Sequence, residues 1–393
     1  MRVLQVIPSV SPVHGGPSRA IVDIEQALAG RGMEVTTVTT NDDGDAHTLA
    51  VPCGVPIATP CATRWYFPRS SVFFKVSVGL GRWLRENIAA FDVVHAHALF
   101  SFAPVAAAFL ARRAGVPYVL RPLGALAPYG MTKHHPFLKK ASFALIERRL
   151  LESASAVHFT SSAEQAEAET LGLKCNGVLI PLGIDLNCSP QNAIARQKQG
   201  DVINLLFLAR IERKKNLEGL LEALRLVLAK YPDVTLNIAG DGDAKYVDTL
   251  KSLACGLAID GHVNWLGYVD GDRKAEVLAA ASAFVLPSYS ENFGIAVVEA
   301  LVAGLPCLVS HGVAIADEID KAGAGIVVGT APVEIAAGIQ KILEDGRGIP
   351  AMSAAARALA ASAYSIDAMG ARLEALYRDI LVSEQAGRVA LAS

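Results

Sequence analysis

The sequence has no long hydrophobic run, no paired cysteines and no excess of charge of either sign, and each lack excludes something. The most apolar windows, residues 99–110 and 295–309, are interrupted by Pro104 and Glu299. Neither reads as the run of about 20 apolar residues that a membrane helix needs. The six cysteines, Cys53, Cys61, Cys175, Cys188, Cys255 and Cys307, lie far apart and form no Cys-x-x-Cys pair. Disulfide frameworks and zinc ribbons cluster their cysteines, so these read as reduced, mostly buried small hydrophobes in a reducing compartment. A formal net charge of -2 gives no global footprint for nucleic acid. The N-terminal MRVLQVIPSV has one arginine and a short run that Pro8 stops, too little for a signal-peptide core. The first strand is followed by His14-Gly15-Gly16-Pro17, so the Gly-x-Gly-x-x-Gly fingerprint of nicotinamide-dependent dehydrogenases is missing. A soluble, cytoplasmic protein is expected.

What is present is abundant apolar residue content in a repeating order. Hydrophobic residues are 52% and charged residues 19% of 393 positions, which suits a globular chain with more than one core. Short apolar runs at 3–7, 34–39, 92–96, 117–120, 156–160 and 178–180 read as buried parallel strands. A second series lies at 203–208, 234–239, 263–266, 283–286, 306–309 and 325–327. Helical stretches alternate with them, such as 18–29, 101–114 and 137–152 in the first half, and 217–229, 244–256, 273–281 and 293–303 in the second. Such alternation predicts right-handed βαβ units, parallel sheets and helices on both faces. Residues 183–200, with Pro190 and no clear period, read as a linker. The predicted fold class is α/β, with two doubly wound, Rossmann-like domains facing across a cleft. Their spans are 1–185 and 186–368, and a C-terminal helix, 369–393, packs back on the first domain. Such sheets bind ligands at their carboxyl ends.

The most informative segment runs from Leu286 to Pro306. A strand ends at Pro287, a polar loop carries Glu291, and a helix is expected from Phe293, with Ser290 and Asn292 as cap residues. Exposed N–H groups at a helix start favour a diphosphate. Glu299 sits in an otherwise apolar stretch, where an unpartnered carboxylate is costly; a carboxylate also accepts from vicinal hydroxyls. The plain alternative for each is a solvated loop or helix residue, which the apolar surroundings of Glu299 disfavour. Arg210 and Lys215 follow the first strand of the second half and can clamp a pyrophosphate; a basic turn is the plain alternative. Gly240 belongs to a glycine turn after the next strand. In the first half, Gly15 and Gly16 let backbone approach a ligand, or simply make a tight turn with Pro17 at the first helical position. His95 and His97 end a strand, and alternation puts both imidazoles on one face.

Together these stretches resemble the retaining family 4 glycosyltransferases of the two-domain GT-B fold, over nearly the whole chain. The pairs Arg210 with Lys215 and Glu291 with Glu299, in order and at family spacing, make the resemblance specific. It implies that Glu299 binds the donor ribose and Glu291 the transferred sugar. Arg210 and Lys215 hold the diphosphate, helped by Gly16 and the backbone of Asn292, Phe293, Gly294 and Ile295. Tyr268 and Val269 contact the base. The donor is then a uridine-diphosphate hexose, UDP-glucose by family frequency, and no further cofactor is needed. Two positions depart from the pattern. Leu123 and Gly124 stand where the family often has a histidine, so a different residue must serve in its place, with His97 and Arg121 as the candidates. Leu182 stands in the interdomain stretch where asparagine is common.

A nucleotide-sugar epimerase, a phosphorylase or a non-catalytic sugar-nucleotide sensor would keep the same fold. Three Asp-x-Asp matches, Asp43-Gly-Asp45, Asp241-Gly-Asp243 and Asp270-Gly-Asp272, show how weak that metal motif is, because aspartate and glycine form turns. No metal site is expected. Lys133, His134, His135, Lys139, Lys140, Arg148 and Arg149 lie near apolar Phe137, Leu138 and Phe143. They suit either peripheral contact with an anionic inner-membrane face and a lipid-linked acceptor, or a solvated helix face. A glycan is the other expected acceptor.

Overall fold

The computed structural model describes the chain except residues 45–46, 128–130, 132–135, 187–202, 345–347 and 393. Most of the expected linker, the Lys133-His134-His135 run and Asp45 therefore lie outside the described residues. The chain forms two compact units, one of Met1–Gly183 with Ile366–Ser393 and one of Ile184–Ser365. Among the described residues no helix is long and apolar enough to cross a membrane.

The first unit holds an eight-stranded sheet of β1 (Arg2–Ser9), β2 (Glu34–Thr40), β3 (Pro56–Ala58), β4 (Thr63–Phe67), β5 (Val93–His97), β6 (Tyr118–Arg121), β7 (Ala156–Phe159) and β8 (Gly177–Leu179). Their order is β3-β4-β2-β1-β5-β6-β7-β8, and only the β3–β4 pair is antiparallel. Alternation sorts the side chains. Leu4, Val6, Val94, Ala96, Tyr118 and Leu120 enter one core with Leu80 and Leu84 of the helix Val78–Asn87. Gln5, His95 and His97 take the opposite face. Phe143, expected on the basic surface, is instead buried in this core. Phe137 is 86% exposed.

The second unit has six parallel strands, β9 (Ile203–Leu208), β10 (Val234–Ala239), β11 (Val263–Gly267), β12 (Ala283–Leu286), β13 (Cys307–Ser310) and β14 (Gly325–Val328). They run in the order β11-β10-β9-β12-β13-β14. The order reverses between β9 and β12, and in the first unit between β1 and β5. A doubly wound sheet opens a crevice where the order reverses, because the flanking crossovers leave in opposite directions. Each unit thus has a crevice position set by its topology.

Three details differ from the sequence reading. The β3–β4 hairpin was not expected, while the helices Val78–Asn87 and Ser162–Thr170 fill stretches between strands for which no helix bounds were given. The helix expected from Phe293 spans Ile295–Ala303, and its cap is Gly294 at φ 82° with no side-chain cap bond. Neither Ser290 nor Asn292 is its cap. The C-terminal helix runs Ile366–Ala392.

Candidate functional site

In the second unit, the residues after β9 and β12 meet. A turn at Arg213–Lys215 follows β9, and Asn216 at φ 56° ends it. Tyr289 N–H donates to the Lys214 carbonyl at 2.8 Å, so the two loops share a backbone bond. This brings the Lys215 ammonium onto the Glu291 carboxylate in a direct ion pair. Lys215 is buried, which lowers its pKa, while the Glu291 charge opposes that shift. Glu291 is itself held by its backbone, with Glu291 N–H to Gly312 O at 2.8 Å and Ala314 N–H to Glu291 O at 3.0 Å. A cation and a carboxylate are thus fixed side by side at the point where the strand order reverses.

Arg210 is placed differently. Its side chain is 72% exposed and pairs with Glu212 at 3.1 Å, not with either site glutamate. Glu299 has a partner the sequence did not suggest: Lys274 Nζ donates to its Oε1 at 2.6 Å. That bond explains a carboxylate in an apolar helix and leaves Oε2 as an acceptor. The helix start at Ile295 follows Glu291 closely, and its cap residue, Gly294, has no side chain to offer the first N–H groups. Tyr268 is 73% exposed and Val269 buried, both just beyond β11.

Gly240 has a packing duty. At φ 148°, a Cβ there would lie 1.9 Å from the Ala209 carbonyl oxygen. The chain after β10 crosses directly against the chain after β9, where Ile211 N–H donates to Asp241 O at 2.8 Å. Gly240 therefore sets the path of the Arg210 loop. Asp243, from one Asp-x-Asp match, caps the helix Ala244–Gly256 through Tyr246 N–H at 3.0 Å.

In the first unit, Gly15 is the N-cap of the helix Gly16–Ala29 at φ 64°, and makes no side-chain cap bond. Its neighbour His14 is tied down by Asp42, a residue sequence reasoning missed. The buried Asp42 carboxylate takes His14 Nε2 at 2.9 Å, Lys75 Nζ at 2.6 Å and the Arg69 guanidinium. Burial pushes its pKa up, but the bonds and charges of Lys75, His14 and Arg69 outweigh this and hold it below its ordinary value. No spacing signal links these four positions. Only the fold gathers them.

His97 is fully buried, and so are His95 and His158. Their bonds form a directed chain that the Ile180 carbonyl orients, since a carbonyl only accepts. His158 Nε2–H donates to Ile180 O at 2.7 Å. Its Nδ1 then accepts from His95 Nε2–H at 3.3 Å. His95 Nδ1 accepts from the Tyr377 hydroxyl at 2.7 Å, and that oxygen lies 3.5 Å from the Gln5 amide nitrogen. Gln5 Oε1 accepts from His97 Nε2–H at 2.6 Å. Burial, reinforced by Arg121, keeps these imidazoles neutral, His158 down to about 3. The chain ties the C-terminal helix, through Tyr377, to the first unit's sheet. It leaves His97 Nδ1 a bare acceptor.

Comparison with known proteins agrees with this architecture. Residues 15–183 match the glycosyl transferase 4-like domain, and residues 191–359 match glycosyl transferases group 1. One relative is an uncharacterized glycosyltransferase of Methanocaldococcus jannaschii, 33% identical over 170 residues, 42% of this chain and 43% of that protein. Another is the phosphatidyl-myo-inositol mannosyltransferase of Mycobacterium leprae, 28% identical over 323 residues, 79% of this chain and 78% of that one. Among solved structures, sucrose-phosphate synthase from Thermosynechococcus elongatus has a TM-score of 0.76 at 19% identity, covering 98% of this chain and 100% of that one. The chain belongs to the family 4 glycosyltransferases of the GT-B fold. It is a glycosyltransferase, and its fold is the one the resemblance implied.

Proposed function

We propose that the enzyme transfers a hexosyl unit from a nucleoside-diphosphate sugar to an acceptor hydroxyl, with retention and without a divalent metal. The observation that carries this reading is the Lys215–Glu291 ion pair at the reversal of the second sheet, next to a helix start capped by glycine. Anionic phosphates lower in energy beside such N–H groups and a fixed ammonium. Glu291 accepts from the transferred sugar's hydroxyls and Glu299 Oε2 from the ribose. Tyr268 offers an exposed ring to the base. Arg210 swings from Glu212 to the diphosphate. The leaving phosphate acts as base on the sugar face it departs, which yields retention. The sugar is kept at the level of a hexose, since a named relative is a mannosyltransferase whereas family frequency suggests UDP-glucose.

The acceptor is a glycan or a lipid-linked hydroxyl. Two observations favour a lipid. The mycobacterial relative is named for phosphatidyl-myo-inositol. Exposed Phe137, Leu138 and Leu145 lie among Lys140 and Arg149 on one surface stretch of the first unit, which suits the face of an anionic membrane.

Thermal-shift screening against nucleoside diphosphates and their sugars tests the donor class. Glu299→Ala should stay folded and lose about 1.5–3 kcal/mol of nucleoside-diphosphate binding, roughly ten- to a hundredfold. Unchanged affinity by calorimetry would remove Glu299 from the donor site. Turnover should also persist in excess chelator, because Lys215, Arg210 and the helix start supply the positive charge a metal otherwise provides. Activity abolished by chelator and restored by magnesium or manganese contradicts that part of the proposal.

A further inference from the structure

The first unit's sheet ends at β8, and that edge is left open. The ladder to β7 uses Val157 N–H to Asn176 O at 2.8 Å and Ile180 N–H to Phe159 O at 2.9 Å, with Val157 opposite Gly177 and Phe159 opposite Leu179. Backbone groups alternate sides along a strand, so the Leu179 N–H and C=O and the Gly177 C=O point away from β7. None of the three has a hydrogen-bond partner among the described residues. Sheet edges are ordinarily blunted by proline, by charge or by a covering element. The opposite edge strand, β3, begins with Pro56. β8 reads Gly-Val-Leu, carries neither proline nor charge, and leaves Leu179 41% exposed.

Beside this edge runs a groove of about 760 Å³ between β8 and the C-terminal helix. Its floor is apolar, with Val178 and Ile180 from the strand and Leu376 and Ile380 from the helix. Both walls are fixed in advance. Ile180 O accepts from His158 Nε2–H at 2.7 Å, and the Tyr377 hydroxyl of the helix donates to His95 Nδ1 at 2.7 Å. Farther along the helix, Asp379 and Glu384 line the same groove. The adjacent Arg378 is taken by Glu374 at 2.7 Å, and neither carboxylate forms an ion pair among the described residues. Arg372 lies about two turns earlier, so the negative charge is confined to one end of the groove. From residue 372 to residue 384 the helix rises about 18 Å. An extended chain covers that length in roughly five or six residues.

We propose that this groove binds an extended peptide segment of a partner protein, which adds a strand to the sheet beside β8. The segment's backbone takes the outward Leu179 and Gly177 groups. Its alternate side chains face the groove, apolar ones over Val178, Ile180 and Ile380, then a lysine or arginine at Asp379 and Glu384. Each feature selects the same occupant. An open edge calls for backbone, an apolar floor for apolar side chains, and unpaired carboxylates for a cation. The groove lies within the first unit and contains none of the residues assigned to sugar transfer, so it is independent of the donor reading.

Fluorescence anisotropy on the full chain tests this with two labelled peptides, Thr-Val-Thr-Val-Thr-Lys and its reverse, because a strand can add in either direction. One of them should bind saturably, and its version with glutamate in place of lysine should bind about tenfold more weakly. Leu179→Pro removes the outward N–H and none of the β7 ladder, so it should stay folded and weaken peptide binding by about tenfold. The second arm is Asp379→Lys combined with Glu384→Lys, on the exposed part of the helix. That variant should melt like the wild type, lose the lysine peptide and gain the glutamate one, whether or not Leu179→Pro folds. Binding of neither lysine peptide overturns the proposal, and so does binding that is indifferent to the charge reversal or, in a folded protein, to Leu179→Pro. A wild-type dimer in sedimentation that Leu179→Pro dissociates also overturns it, because a second copy would then hold the edge.

Discussion

Replacing Lys215 with alanine should lower kcat by about a hundred- to a thousandfold while leaving the donor KM within a fewfold. The lysine is buried beside Glu291 and fixed by a turn whose Lys214 carbonyl is bonded to Tyr289 N–H. An ammonium held this way needs no reorganisation as charge develops on the departing diphosphate. Preorganised charge of that kind acts mainly in the transition state, which is why kcat carries the loss. Arg210→Ala should do less, since that side chain is 72% exposed and already paired with Glu212. Steady-state kinetics on the two variants checks both statements. A Lys215 variant with raised KM and unchanged kcat would mean that the charge binds substrate and transition state alike.

The second large effect is on stability. Gly240→Ala should cost roughly 3 kcal/mol or more and lower the melting temperature by on the order of 10 °C. The methyl group would lie 1.9 Å from Ala209 O. That contact is with backbone, so no rotamer change relieves it. The strand end must move, and Arg210 moves with it. The same variant should therefore lose donor affinity under conditions where it is still folded. Heat denaturation and nucleoside-diphosphate titration measure the two effects separately. A mutant that melts like the wild type would show that the loops after β9 and β10 can separate without penalty.

The sheets were legible in the sequence because parallel strands are buried on both faces and read as short apolar runs. All twelve of those runs are strands. The hairpin β3–β4 escaped because Pro56–Ala58 is only three residues long and Thr63–Phe67 carries no such run. Lys215 and Glu291 were legible because their separate positions at strand ends, in family order, mark the reversal of the second sheet. Other pairings leave no mark. Lys274 and Glu299 come from different helices, and Tyr377 meets His95 across 282 residues. Asp42 gathers His14, Arg69 and Lys75 only after β1, β2 and β4 are in place. His97, read as a strand-end residue standing in for the family's histidine, has no exposed surface, because its strand lies under the C-terminal helix through Gln5 and Tyr377. Its open Nδ1 is a property of the hydrogen-bond chain, which local sequence does not encode.

The central claim is that the sugar nucleotide is held at the β9–β12 reversal of the second unit. Calorimetric titration of one nucleoside diphosphate into the wild type, Glu299→Ala and Arg121→Met tests it most directly. The account predicts affinity ten- to a hundredfold weaker in Glu299→Ala and unchanged in Arg121→Met. Equal affinity in wild type and folded Glu299→Ala, or a loss confined to Arg121→Met, would place the diphosphate elsewhere and contradict the account.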